Sequence, residues 1–248
     1  MRLSDATKVI NMPKLLSPFE REEINGNYVC APKIVKEFRW VFSSESTAVE
    51  KLDGTSVSVV VRGHRITEIY NRDNRIEVFS RNGKRFAEGI LEAIDKEYFN
   101  PKEAGEGQYF GELIGEKVNA NPYKLKGHLW LPFSGLREKC CFHFWRDFVK
   151  TLEGLSDKEI FNEMNELMKG LWSVYKRRLG FEMKPVNEST GFDGMAAEGI
   201  VFYRKDHEIK PATINGKKTV AEMCKLRRDM FSFFAGDSHH QRDSKNKK

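Results

Sequence analysis

The sequence predicts an α+β fold of mostly antiparallel sheets with helices inserted between the strands. Three observations predict it. Short β-rich runs recur, from Ser56-Val57-Ser58-Val59-Val60-Val61 to Gly199-Ile200-Val201-Phe202-Tyr203. The pairs Asn82-Gly83 and Asn215-Gly216 suit sharp reversals of the chain. Between strands the apolar residues switch to helical spacing, as at Phe86, Ile90, Leu91, Ile94 and Tyr98.

Taken in order, residues 1–40 read as irregular with short elements, punctuated by Pro13, Pro18, Gly26 and Pro32. From Val41 the pattern turns to β. Ser56 to Val61 is a strand, Arg62-Gly63-His64-Arg65 a turn, Ile66 to Tyr70 the returning strand, and Arg75 to Ser80 a third. An amphipathic helix follows and closes before Pro101. Gln108 to Ile114 and the aromatic run Cys140 to Phe148 read as further strands. Ser156 with Glu159 makes a capping box. It opens a helix whose stripe of Ile160, Met164, Leu167, Leu171, Trp172 and Tyr175 belongs to a core. Strands at Gly199–Tyr203 and Thr219–Arg228, with a hairpin turn at Asn215-Gly216 between them, complete the pattern. No repeat or linker divides the chain. The expected organisation is an extension over 1–40 packed on a core domain of 41–235, with a basic, disordered tail over 236–248.

Composition narrows the class. No apolar run approaches the roughly 20 residues that span a bilayer, and Met1-Arg2-Leu3-Ser4-Asp5 lacks the apolar stretch of a secretory signal. Cys30, Cys140, Cys141 and Cys224 form no Cys-x-x-Cys pair. The expectation is a cytoplasmic protein with reduced thiols, without a disulfide framework or structural zinc. The net charge of +6, from 42 basic and 36 acidic residues, permits a polyanionic partner.

Chemistry concentrates at Glu50-Lys51-Leu52-Asp53-Gly54, which places an amine at the start of a β-patterned run beside a carboxylate and a glycine. An uncharged lysine there can attack an electrophilic phosphorus and hold the product covalently. Such a nucleophile needs cations around the phosphate and carboxylates for a metal and a sugar. Strand alternation puts Lys225 and Arg227 on one face and Cys224 and Leu226 on the other. Two cations on one face of an otherwise apolar strand call for an anion. Glu198 opens an apolar strand and Glu112 lies within another, so each needs a partner, a metal or a hydroxyl. Arg81 ends a strand at a turn, where it can meet a phosphate.

In this order the segments resemble the motifs of the covalent nucleotidyltransferase superfamily, the ATP-dependent polynucleotide ligases and mRNA capping enzymes. The matches are Lys51-Leu52-Asp53-Gly54, Ser80-Arg81-Asn82-Gly83, Phe110-Gly111-Glu112, the aromatic run Phe142 to Phe148, Glu198-Gly199-Ile200-Val201 and Lys225-Leu226-Arg227. They cover roughly residues 40–230. Glu50 directly before the lysine, and Phe-Gly-Glu in the third motif, are similar to the RNA ligase branch in particular.

The resemblance implies an ATP-grasp-like ligase domain with flanking helices. It has no appended OB domain, because about twenty residues follow Arg227. It implies ATP as co-substrate, Mg2+ or Mn2+, and RNA ends, nicked or broken, as partners. The implied activity joins 5′-phosphate and 3′-hydroxyl ends in three steps, through a lysyl-AMP on Lys51 and an adenylated RNA end. By the same resemblance Glu50 lies near the adenine, Glu112 near the ribose, and Glu198 holds the metal. Lys225 and Arg227 grip the α-phosphate, Arg81 or alternatively Arg72 meets the ribose or outgoing phosphate, and Asp53 serves transfer and joining. Either His143 or Phe144 stacks on the base. A DNA ligase, a capping-type guanylyltransferase and an inactive RNA-binding relative stay open as alternatives.

Overall fold

The computed structural model describes residues 2–3, 9–24, 26–175, 196–204 and 209–234. The strands among them are β1 (Arg2–Leu3), β2 (Phe19–Ile24), β3 (Asn27–Ile34), β4 (Ser46–Lys51), β5 (Thr55–Arg62), β6 (Arg65–Asn71), β7 (Asn74–Arg75), β8 (Gly107–Gly115), β9 (His128–Pro132), β10 (Gly199–Arg204), β11 (Pro211–Ile214), β12 (Lys217–Val220) and β13 (Met223–Arg227). The α-helices are α1 (Lys84–Asp95), α2 (Phe133–Lys139), α3 (Trp145–Thr151) and α4 (Asp157–Lys169). The strands pair antiparallel throughout, so the α+β class holds.

The chain forms two compact units that interleave in sequence. One contains Leu52–Lys139 with the residues up to Pro13; the other contains Lys14–Lys51 and most of the chain after Lys139. The segment expected as an extension therefore contributes to both.

The first unit is a sheet in the order β1-β8-β5-β6-β7, with β9 also on β8. Val57, Val59, Val60 and Val61 of β5 are all fully buried, which explains why the polar alternation at Ser56 and Ser58 gives way to three consecutive valines. The β5–β6 hairpin turns at Gly63 and His64, both with φ near +60°, as a two-residue turn of the predicted kind requires. Phe86 and Ile90 anchor α1, as their spacing predicts. Gly89 lets α1 approach the sheet, since a Cβ there would meet Leu113 Cδ1 at 2.3 Å.

The second unit holds the sheet β13-β10-β4 and the hairpins β2–β3 and β11–β12. Ala48, Ile200, Phe202, Cys224 and Leu226 turn one face of that sheet into a core with Phe38, Val41, Trp145, Ile160 and Met164. The capping box forms as read: Ser156 Oγ accepts from Glu159 N, and Glu159 Oε2 accepts from Ser156 N at 2.8 Å.

Several expectations are corrected. The short elements expected within residues 1–40 include Phe19–Ile24 and Asn27–Ile34, which pair as a regular β2–β3 hairpin. The third strand shrinks to Asn74–Arg75, followed by turns up to Gly83. Cys140–Phe148 is not a strand: only Cys141 bridges Val49, and α3 begins at Trp145. Trp145, Val149 and Leu152 are buried at helical spacing, a pattern that the density of aromatic residues concealed. The last strand is two, β12 and β13, broken by a turn at Ala221-Glu222. The core stripe outlasts its helix, since α4 ends at Lys169 while Leu171 and Tyr175 are buried beyond it. The tail expected from Gly236 lies outside the described residues. The four cysteines are free thiols.

Candidate functional site

The site is built on the face of the β13-β10-β4 sheet that is turned away from the Ile200–Leu226 core. Register places Gly199 opposite Lys51 on one side and opposite Arg227 on the other. Val201 likewise stands between Val49 and Lys225. Side chains opposite one another share a face, so Lys51, Lys225 and Arg227 project from one side while Ile200, Leu226 and Cys224 enter the core. The predicted split of the late strand is realised.

Lys51 Nζ donates to Glu198 Oε2 at 2.6 Å. The lysine side chain is 20% exposed and the glutamate 1%, so the carboxylate sits beneath an accessible amine. Gly199 keeps the strands close: a Cβ would lie 2.2 Å from Leu226 O and 2.8 Å from Arg227 Cα. Burial, followed by the charges of Lys51 and Arg227, lowers the Lys225 amine to a pKa of about 8, and Glu198 opposes the shift. Arg227 Nε lies 3.1 Å from Asp229 Oδ1. That contact satisfies the distance of an ion pair, but both atoms are buried without a hydrogen bond.

Glu50 is buried on the opposite side of β4. Its Oε2 accepts from Tyr175 N at 2.7 Å. Desolvation raises its carboxyl to about 7, opposed by hydrogen bonds from Ser173, Tyr175 and Val174. The carboxylate is 1% exposed and lies on the face of β4 opposite Lys51.

His143 and Phe144 are exposed turn residues leading into α3. Strand alternation therefore does not separate them, and both are exposed. Phe144 is 42% exposed and tilts against Phe142 at 5.5 Å.

Asp53, Arg81 and Glu112 belong to the first unit, the chain passing into it between Lys51 and Leu52. Asp53 is buried; its N–H is capped by Tyr123 Oη at 2.9 Å and its Oδ1 accepts from Asn119 Nδ2 at 2.6 Å. Asn119 also donates to Gly54 O at 2.8 Å. Gly54 has no room for a side chain, because a Cβ would sit 2.7 Å from Glu112 Cγ and 2.5 Å from Leu113 O. Glu112 on β8 is thus held against the Asp53-Gly54 turn. Arg81 and Arg72 both lie in exposed turns.

Sequence reasoning missed Asn119 and Tyr123, which fix the Asp53-Gly54 turn, and Tyr175, which holds Glu50. The turn-rich Asn119-Ala120-Asn121-Pro122-Tyr123 carries a loop signal, but its distance in sequence hides what it grips.

Among the described residues no group of three or more His, Cys, Asp or Glu side chains could hold a metal ion. The single carboxylate of Glu198 does not make a resident metal site. It does suit an ion arriving on nucleotide phosphates, because Mg2+ keeps several waters and needs only one or two carboxylates beside phosphate oxygens. No helix among these residues is long and apolar enough to cross a membrane.

No protein-family model and no curated protein matches the sequence. Among solved structures, the chain is similar to the Naegleria gruberi RNA ligase with PPi, at 16% identity and a TM-score of 0.42, over 94% of this chain and 63% of that one. It is also similar to a mutant of that ligase with ATP and Mn, at 14% identity and a TM-score of 0.38, over 88% of this chain and 61% of that one. An apo mutant of the same ligase matches at 14% identity and a TM-score of 0.40, over 92% and 61% respectively. The chain thus spans about three fifths of the length of these structures.

Proposed function

We propose that the protein is an ATP-dependent RNA ligase that carries AMP on Lys51. One observation carries the reading: Lys51 pairs with the buried Glu198 on the same sheet face as Lys225 and Arg227. A lone solvated lysine would need neither the carboxylate beneath it nor the two cations beside it. An amine that attacks a phosphate needs both.

In the first step Lys51 Nζ attacks the α-phosphorus of ATP. The N–P bond forms, the bond from phosphorus to the bridging oxygen breaks, and pyrophosphate leaves with the electron pair. Glu198 Oε2, at 2.6 Å, stands where it can take the proton that the amine gives up. Lys225 and Arg227 neutralise the α-phosphate as charge develops on it. Mg2+ or Mn2+ brought by ATP would supply further charge neutralisation, and Glu198 is the carboxylate that would hold it once Lys51 carries AMP as a phosphoramidate and the carboxyl has released its proton to water. AMP then passes to an RNA 5′-phosphate, and a 3′-hydroxyl displaces it to seal the strand.

The test incubates the protein with ATP or GTP labelled at the α-phosphate, with Mg2+, and then with matched nicked and single-stranded RNA and DNA. Retained label from ATP, absent in Lys51→Ala, with joining of RNA ends, is the expected result. Label on the Lys51→Ala protein would remove the nucleophile. A preference for GTP, or for DNA ends, would replace the RNA ligase by its capping-type or DNA-sealing counterpart.

A further inference from the structure

Glu198, the carboxylate beneath the nucleophile, lies just outside the ladder that positions Lys51. The β4–β10 pairing ends at Gly199 opposite Lys51, one residue short of Glu198. Toward β13, the Glu198 carbonyl accepts from Arg228 N at 3.1 Å. The residues just before Glu198 rest on the segment that follows α4. Ala197 N donates to Leu171 O at 3.0 Å, and Ala196 bridges Trp172. Leu171, Ala197 and Glu198 are all buried, so this seam is packed as well as hydrogen-bonded.

The segment carrying Leu171 and Trp172 is held by Glu50. Since α4 ends at Lys169 with Gly170 as its cap, the residues beyond it need new partners for their backbone N–H groups. Glu50 Oε2 accepts from Tyr175 N at 2.7 Å, and Val174 N–H and Ser173 also bond the carboxylate. Three consecutive residues thus converge on one buried side chain. Glu50 is itself fixed, because its N donates to Cys140 O at 2.9 Å and it stands opposite Ile200 in the β4–β10 register. A carboxylate on the core side of a sheet carries a desolvation cost that an apolar side chain would not. Stability alone does not call for it, whereas the placement of 171–175 does.

The two neighbours on β4 therefore reach the same carboxylate from opposite faces. Lys51 Nζ meets Glu198 Oε2 directly at 2.6 Å. Glu50 holds the segment on which Ala196 and Ala197 rest. We propose that Glu50 is a positioning residue for adenylation: through residues 171–175 it sets where Glu198 stands against the Lys51 amine. The inference rests on the adenylation reading, in which Glu198 takes the proton of the attacking amine, and deepens it. It replaces the place beside the adenine that the sequence resemblance implies for Glu50.

The test measures lysyl-AMP formation from ATP labelled at the α-phosphate, with urea unfolding midpoints alongside. The proteins are wild type, Glu50→Gln, Glu50→Leu, Ser173→Ala, Glu198→Gln and the last combined with Glu50→Leu or with Ser173→Ala. Glu50→Leu keeps the bulk but leaves the donors of 173–175 unpaired. Its kcat should fall on the order of tenfold or more, with KM for ATP little changed, because Lys225 and Arg227 stay on β13. Glu50→Gln keeps an acceptor oxygen for Tyr175 N and should recover most of the rate. Ser173→Ala, a milder change, should show the same split more weakly. In the Glu198→Gln background, neither Glu50→Leu nor Ser173→Ala should cost much more, since residues that act as a unit are not additive. Equal losses in the two backgrounds would show that Glu50 acts independently of Glu198, and the proposal fails. It fails too if KM for ATP rises while kcat is kept, the mark of a contact to the base, or if Glu50→Leu and Ser173→Ala both adenylate at the wild-type rate. Should Glu50→Leu not fold, the Ser173→Ala pair decides by the same comparison. A wild-type protein that takes no label from ATP overturns the adenylation reading itself.

Discussion

Glu50 hangs from the backbone of Tyr175, its Oε2 2.7 Å from that nitrogen, while its neighbour Lys51 serves the other face of β4. Burial raises the Glu50 carboxyl from 4.5 to about 7, so the folded protein holds this proton more tightly than the unfolded chain does. The resulting stability is complete below the unfolded value near 4.5 and is lost as pH rises through about 7. Unfolding by urea at about pH 5 and about pH 8 should show wild type losing on the order of 3 kcal/mol relative to Glu50→Gln over that interval. Parallel profiles for the two proteins would show that Glu50 titrates normally. Lys225 acts in the opposite sense and at higher pH: its lowered value means that stability returns between about 8 and 10.5 as the unfolded amine also loses its proton.

Gly199 separates packing from chemistry. A Cβ there collides with the β13 backbone at 2.2 Å, a contact that no side-chain rotation relieves. Gly199→Ala should destabilise by about 1–3 kcal/mol. It should also slow adenylation on the order of tenfold or more, because β13 must shift relative to Lys51. Gly135→Ala is the contrast: its nearest neighbour would be Pro132 Cγ at 3.5 Å, and alanine favours the helix. That variant should keep or slightly raise the unfolding midpoint, with adenylation unchanged. Equal behaviour of the two would refute the account of Gly199.

Much of this arrangement was legible in the sequence. Valine-rich β5, the Asn215-Gly216 hairpin and the Ser156–Glu159 cap are set by local rules, and each formed where expected. The facing of Lys225 and Arg227 followed from alternation along β13 alone. What escaped was set by distant partners. Nothing local to Glu50 foretells a donor at Tyr175, and Asn119 reaches Asp53 from 66 positions away. The aromatic run before α3 was misread for a different reason. Trp, Phe and Val favour strands, yet their helical spacing decided the outcome once Trp145 and Val149 could both be buried.

Asn119 offers a test in the first unit. Its one amide group donates to Asp53 Oδ1 at 2.6 Å and to Gly54 O at 2.8 Å, linking the motif turn to the loop after β8. Asn119→Ala should cost about 1–3 kcal/mol, since Asp53 is buried and loses a donor. On the proposed function, sealing of adenylated RNA should fall more than formation of lysyl-AMP, because that reading gives Asp53 a part in transfer and joining and none in the attack by Lys51. Equal losses in the two steps would detach Asp53 from the later chemistry.

Lys225 gives the sharpest pH test of the site. Its amine lies near 8 because burial disfavours the charged form and Lys51 and Arg227 add their repulsion. Only the charged form can neutralise an α-phosphate, so the free protein loses this contact as pH rises through about 8. Since kcat/KM reports titration in the free enzyme, kcat/KM for ATP in the adenylation step should decline above that pH. Bound ATP brings negative charge and favours the ammonium, so kcat at saturating ATP should decline later, at higher pH. Lys225→Arg keeps its charge throughout this range, and its kcat/KM should show no such decline, though its planar fork will lower the absolute rate. Lys225→Met should lose most adenylation at every pH. A methionine variant that still adenylates at the wild-type rate would mean that β13 does not touch the nucleotide. A wild-type decline that persists unchanged in Lys225→Arg would assign the titration to another group.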